Sequence, residues 1–298
     1  MSHVFGWNLL IGLFIVSYSR RCESLGHSIG PYEVKPFPKD RNLVVDQMEM
    51  SSRRYHMKGL FELDVTEGRE TIRSFKQRSN QDVSFTAWIM KCIALAIAEH
   101  KYIHALRKGK KEIVIFDEID IALPVEKKVK TDSFPLPLVI RKVNEKSVLQ
   151  ITQEIREAQK AETDNVEVLG GERKSITMRL AKYFPSFPKF IRKLIFRRFN
   201  DPFFMKENAG TVFVTSVGMF GRSGGYAIPL MANPLVFAIG GIVKKPGVID
   251  NRIEIREYLS ITVMIDHETV DGAPATRFIS RFAELVETAA GLDDLASY

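Results

Sequence analysis

Cysteine is nearly absent: Cys22 and Cys92 are the only two in 298 residues. That count gives no disulfide framework and fits a reducing compartment, so a cytoplasmic location is expected. Histidine is sparse as well, with six in the chain. None stands at a recognised metal-ligand spacing, so no metal is expected. Zinc-finger spacing and the aromatic signature of RNA-binding folds are missing, which leaves nucleic acid unsupported as a partner. No internal repeat shows. What is present is a 45% apolar chain with a net charge of +7. It can bury a full core, as one large domain or two small ones. Its basic balance suits anionic small molecules or an anionic membrane surface.

The N-terminus has an apolar stretch, Val4 to Tyr18, followed by Ser19-Arg20-Arg21. It falls short of the roughly 20 residues of a membrane span. No Lys or Arg precedes it, so it lacks the positive start of a secretory signal. The expectation is an extension outside the fold. The alternative is membrane association through residues 4–18, with Arg20 and Arg21 keeping the following domain in the cytoplasm. Residues 22–40 carry Gly, Pro and charge without periodicity and read as a linker. The chain therefore divides into an apolar segment with linker, 1–40, and a folded domain, 41–298.

Arg41–Met50 is a short amphipathic stretch, Gly59–Thr66 alternates like a strand, and Glu67–Gln77 is a charged helix. Ser84–His100 is apolar nearly all round, which predicts a buried helix capped by Ser84 or Thr86. Ile113–Phe116 and Ile119–Val125 read as a pair of strands around Asp117-Glu118, and Phe134–Val143 as an edge-like run with prolines. Ser147–Lys160 has the spacing of a packed helix. Within a basic insertion at about 175–208, Lys189–Phe199 sets Phe190, Ile191, Leu194, Ile195 and Phe199 against Arg192, Lys193, Arg197 and Arg198. Such a helix either lies on an anionic membrane or lids an apolar part of the fold with its cations outward. The lid is the expectation, because an amphipathic stretch inside a domain is usually packed. Gly210–Gly221 is a strand ending in a glycine-punctuated turn. Leu235–Val243 is a buried strand whose Gly240-Gly241 marks a bulge or close backbone approach.

Ile261–Phe282 carries the chemistry. Leu259, Ile261, Val263 and Ile265 alternate as a buried strand. Phe278, Phe282 and Leu285 recur at helical spacing from Gly272 to about Ala289. His267 thus sits where a strand ends, and Asp271 just before a helix, where rigid scaffolds commonly hold catalytic groups. Taken alone, a histidine there is more often a surface or hydrogen-bonded core residue.

Four blocks resemble one family, the acyltransferase core of 2-oxo acid dehydrogenase complexes, and more distantly chloramphenicol acetyltransferase. Arg41–Met48 is similar to an Arg-x-x-Ile-Ala-x-x-Met opening, and Ser84–His100 to a SFTxxxxKAxALALxEH helix. Gly210–Gly221 resembles GTFTISNLGMFG with Thr215 at the serine, and Asp266–Phe278 resembles DHRVVDGAxAARF. The resemblance implies an α/β fold, a mixed β-sheet covered by helices, over Arg41 to the C-terminus. It implies transfer of an acyl group between the thiols of coenzyme A and a dihydrolipoyl group, in a homotrimer or larger homo-oligomer. Its site lies between subunits, with His267 reaching toward Thr215 of a neighbour.

The implied chemistry is coherent. A thiol with a pKa of about 8.5 needs a base at neutral pH, and histidine suits that task. His267 would take the thiol proton, and the Thr215 hydroxyl would donate to the oxyanion, with Ser216 beside it. Asp271 would hold the imidazole or loop, through a hydrogen bond or an ion pair with Arg53 or Arg54. Gly272 would allow a tight backbone turn. The roughly 40 residues before Arg41 leave no room for a lipoyl domain, so no covalent lipoyl group is expected on this chain. Acyl-CoA is the expected substrate, with a thiol or other small acceptor, or a lipoyl domain in trans. The competing expectation is a non-catalytic, acyl-CoA-binding or membrane-associated scaffold that keeps the fold.

Overall fold

The computed structural model describes residues 31–39, 41–127, 134–160, 186–218 and 224–296. The apolar Val4–Tyr18 stretch, Cys22 and residues 175–185 of the basic insertion lie outside them. Two compact units separate at Pro38/Lys39. Residues 31–38, the described part of the first, have no regular structure.

The second unit holds a mixed six-stranded sheet. In chain order its strands are β1 (His56–Asp64), β4 (Ile121–Lys127), β5 (Phe134–Ile140), β6 (Val212–Ser216), β7 (Leu235–Ile249) and β8 (Arg252–Asp266). The spatial order is β1-β8-β7-β6-β4-β5. β6 runs parallel to β4 and β7, and the other pairs are antiparallel. A small ribbon pairs β2 (Leu106–Lys108) with β3 (Glu112–Val114). The expected partnership of Ile113–Phe116 with Ile119–Val125 is therefore corrected. A turn follows β3, and the next strand joins the main sheet, where its apolar side chains are buried on both faces.

Helices α2 (Thr66–Ser79), α3 (Phe85–Glu99), α4 (Val148–Lys160) and α7 (Gly272–Glu287) contribute to one core with one sheet face. Leu259, Ile261, Val263 and Ile265 of β8 meet Trp88, Ile93, Phe278 and Phe282 there. α3 begins where Ser84 Oγ accepts from the Ala87 N–H at 3.3 Å. α4 begins with a reciprocal cap, in which Gln150 N–H donates to Ser147 Oγ and Ser147 N–H to Gln150 Oε1. Fully buried Trp88 donates Nε1–H to the Ala290 carbonyl at 3.0 Å. On β8, Glu257 receives both Arg69 and Arg73 of α2. The opposite sheet face carries a smaller cluster of Ala122, Val139, Phe213, Val236 and Met264.

β7 and β8 form a long hairpin turned by Asp250 (φ 47°) and Asn251 (φ 62°), the left-handed pair of a type I′ turn. The register shifts between Ile239 and Ile242, so Gly240-Gly241 is a bulge. A Cβ on Gly240 would lie 2.2 Å from the Gly225 carbonyl oxygen, and one on Gly218 2.0 Å from that of Gly240. Glycine is needed at both, because backbones touch there.

Two further helices stand near the start of the unit and in the insertion: α1 (Arg41–Ser51) and α5 (Lys189–Phe196), with α6 (Pro202–Ala209) after them. Sequence periodicity missed α6, whose N-cap Asp201 accepts from Phe203 and Phe204 N–H. The lid expectation for α5 is corrected at Arg192, while Lys193, Arg197 and Arg198 are exposed and Ile191 and Phe199 half-buried. Arg192 is the buried residue, with Nε donating to Asp46 of α1 at 2.6 Å, while Phe190 and Leu194 are 73% and 65% exposed. The buried carboxylate of Asp46 draws Arg192 inward, since a buried charge requires a partner.

Candidate active site

The end of β8 is fixed from several sides. Asp266, 1% exposed, donates its N–H to the Pro234 carbonyl at 2.8 Å. Its carboxylate accepts from Arg54 Nη1 at 3.1 Å and from the Glu268 N–H at 3.1 Å. Its carbonyl accepts from the Val270 N–H. In register, Asp266 faces His56 at the start of β1. His56 Nε2–H donates to the Asn233 carbonyl at 2.9 Å, and burial pushes its pKa below the ordinary imidazole value. The Asn233 side chain in turn donates to the carbonyls of Ala209 and Gly210, just before β6.

His267 follows Asp266 directly, in the turn between β8 and α7. Its N–H donates to the Tyr55 carbonyl at 2.8 Å, while the imidazole is half exposed. Nδ1 lies 3.9 Å from Asp271 Oδ1, within ion-pair reach but longer than a hydrogen bond. Asp271 is the N-cap of α7, yet its side chain accepts no capping hydrogen bond and is 90% exposed. An N-cap aspartate ordinarily gives its carboxylate to the first turn. Here the carboxylate remains available to the imidazole.

Arg54 is engaged by Asp266, with Glu268 at 3.9 Å. The expected arginine–Asp271 pair is therefore corrected for Arg54: buried Asp266 has the stronger need for a cation than solvated Asp271. Arg53 is exposed and lines a cavity of about 200 Å³ with Arg54, Lys193, Phe196, Arg197 and Glu268. The tight-turn expectation for Gly272 is also corrected. It is the first residue of α7, has no left-handed φ, and an added Cβ would meet nothing within 4 Å.

Thr215 and Ser216 are half-buried at the end of β6. Thr215 is opposite Ala238, which is opposite Thr262 of β8. Thr215 is thus two strands across from β8 and four residues short of Asp266, roughly 16 Å away at ordinary strand spacing and rise. Within one chain, then, the threonine and the histidine are not brought together. Arg54, Asp266, His267 and Asp271 are. Asp266 and Asn233 were missed as site-builders. The available signal was an aspartate closing a strand whose preceding Leu259, Ile261, Val263 and Ile265 alternate as core residues, a position that demands a buried partner. Among the described residues no three or more His, Cys, Asp or Glu side chains gather in a way that could hold a metal ion.

The family described as 2-oxoacid dehydrogenases acyltransferase (catalytic domain) matches residues 30–169 and 205–292. The chain belongs to this family. It is 24% identical over 254 residues to the lipoamide acyltransferase component of the Bacillus subtilis branched-chain alpha-keto acid dehydrogenase complex, covering 83% of this chain and 50% of the relative. It is 23% identical over 222 residues to the Mycoplasma genitalium dihydrolipoyllysine-residue acetyltransferase component of the pyruvate dehydrogenase complex, covering 74% and 47%. The chain thus spans about half the length of these relatives. Its fold is that of solved acetyltransferase cores. A probable dihydrolipoamide acetyltransferase from Listeria monocytogenes superposes with a TM-score of 0.61 at 21% identity, covering 88% of this chain and 96% of the other. The Azotobacter vinelandii dihydrolipoamide acetyltransferase gives 0.63 at 19%, covering 87% and 93%. That enzyme was investigated for the role of a serine, a histidine 52 positions later and an asparagine four beyond it in its catalytic mechanism.

Proposed function

We propose that this chain is a coenzyme A-dependent acyltransferase whose site is completed between copies, His267 of one subunit working with Thr215 of the next. The observation that carries this reading is a pair of spacings. Thr215, His267 and Asp271 stand at the same intervals as the serine, histidine and asparagine of the A. vinelandii enzyme. The separation of Thr215 from β8 within one chain supports a shared site. A ring of three copies would bring such distant sites together by a head-to-tail contact.

In the proposed reaction His267 takes the proton of the acceptor thiol, using the ring nitrogen turned away from Asp271. The sulfur's electron pair forms a bond to the thioester carbonyl carbon, and the Thr215 hydroxyl donates to the oxygen as it gains charge. The intermediate collapses, the original carbon–sulfur bond breaks, and the departing thiolate takes the proton back from the imidazolium. Asp271 stabilises the imidazolium across its 3.9 Å gap, and Arg54–Asp266 keeps the turn in place. The thiols are coenzyme A and a dihydrolipoyl group carried outside the described fold, or another small acceptor.

A panel of acyl-CoA donors with dihydrolipoamide and other thiol, amine and alcohol acceptors tests this. Transfer is expected in the wild type and lost by about a thousandfold in His267→Ala. Equal turnover in the variant would remove His267 from the chemistry.

A further inference from the structure

α5 is packed the wrong way round for a helix that meets only water. Its most buried side chain is a cation, with Ile191 and Phe196 half-buried beside it: Arg192 Nε donates to Asp46 at 2.6 Å, and Arg192 Nη1 to the Phe187 carbonyl at 2.7 Å. Its outward side is apolar: Phe190 and Leu194 are largely exposed, Ile195 is 40% exposed, and Phe203 follows at 53%. Residues 189–200 contain five Lys and Arg and no carboxylate. Lys189 is taken by Glu49 and Arg192 by Asp46. Lys193, Arg197 and Arg198 are exposed; none forms a salt bridge among the described residues, though Lys193 acts on Glu49 through space and Arg198 stands 5.6 Å over the Phe204 ring. Lys193 and Arg197 line the cavity beside the helix, with Arg53 and the carboxylates Asp46, Glu49 and Glu268. Exposed aromatic and aliphatic side chains framed by cations that form no salt bridge are the composition of a helix that lies in the plane of an anionic bilayer.

We infer that α5 and the turn after it form a peripheral docking surface for an anionic phospholipid membrane. Phe190 and Leu194 enter the acyl boundary, and Lys193, Arg197 and Arg198 meet headgroup phosphates. A second protein copy fits the face less well. The family match stops at residue 169 and resumes at 205, so contacts shared by relatives are made without this segment. Among the described residues no helix is long and apolar enough to cross a membrane, and surface attachment needs none.

Full-length protein is mixed with phosphatidylcholine vesicles, with and without phosphatidylserine, and binding is read by co-sedimentation. Two variants accompany it: Phe190→Ser with Leu194→Ser, and Lys193→Gln with Arg197→Gln and Arg198→Gln. Wild type is expected to prefer anionic vesicles and to release as salt rises. The triple variant should lose roughly a hundredfold of that preference, and the double variant about tenfold of total binding. Circular dichroism and light scattering report fold and mass for each variant. Equal binding to both vesicle types, or unchanged binding in both folded variants, would overturn the inference. So would a change of mass in either variant, which would make the face a contact between protein copies.

Discussion

Arg54 Nη1 stands 3.1 Å from Asp266 Oδ2, and this bond ties the chain after α1 to the strand end that carries His267. Both side chains are mostly withdrawn from water, at 15% and 2% exposed. Removing the cation leaves a buried carboxylate uncompensated. Arg54→Met should lower stability by about 3 kcal/mol and kcat by about a hundredfold through displacement of the imidazole. Arg54→Lys should recover part of both. An unchanged Tm in Arg54→Met would show that Asp266 does not depend on this partner.

His104 gives the fold a pH dependence. It is fully buried, with Nε2–H donating to the Phe116 carbonyl at 3.1 Å and Nδ1 accepting from the Thr211 hydroxyl at 2.7 Å. Burial pushes its pKa down to about 4, against the pull of the Phe116 carbonyl. The unfolded chain binds this proton below about pH 6.5, while the folded chain does so only near pH 4. Stability is therefore present above pH 6.5 and falls by up to about 3 kcal/mol as pH drops through that window. Urea titrations at several pH values should show that slope in wild type and a shallower one in His104→Gln. Parallel slopes would remove His104 as its source.

Gly68 sets a favourable effect against an unfavourable one. Alanine inside α2 gains about 1 kcal/mol of helix propensity. A Cβ there would sit 2.1 Å from Trp88 Cη2, and the ring is held by its bond to Ala290. Overpacking of this kind costs about 1–3 kcal/mol. Gly68→Ala should thus be destabilised in denaturant unfolding, whereas a gain would mean the ring can move aside.

The orientation of α5 can be tested through its buried pair. Arg192→Leu should lose about 3 kcal/mol, because the buried Asp46 carboxylate loses its hydrogen-bonded cation. Asp46→Leu combined with Arg192→Leu should recover most of it. A neutral single variant would place Arg192 in water.

Elements with a strong local period are legible in the sequence. Ser84–His100 is a cap followed by a continuous apolar run, and β8 followed by α7 changes from a period of two to one of 3.6. β2 and α6 are not legible, since three residues and eight mixed residues carry little period. Among the site residues, the neighbourhood of His267 and Asp271 follows from local order. Arg54's choice of Asp266 over Asp271 depends on burial, which spacing does not report. The burial of Arg192 in α5 is hidden for a related reason: amphipathicity marks two faces, and a buried carboxylate in α1 draws one cation inward.

A site shared between copies can be probed with mixed oligomers. His267→Ala and Thr215→Val should each be nearly inactive alone. When they are unfolded and refolded together, random assembly into head-to-tail rings pairs an intact histidine with an intact threonine at roughly a quarter of the sites. Activity should return to about that fraction of wild type. Mixed oligomers that form, by mass, and stay inactive would contradict the shared site.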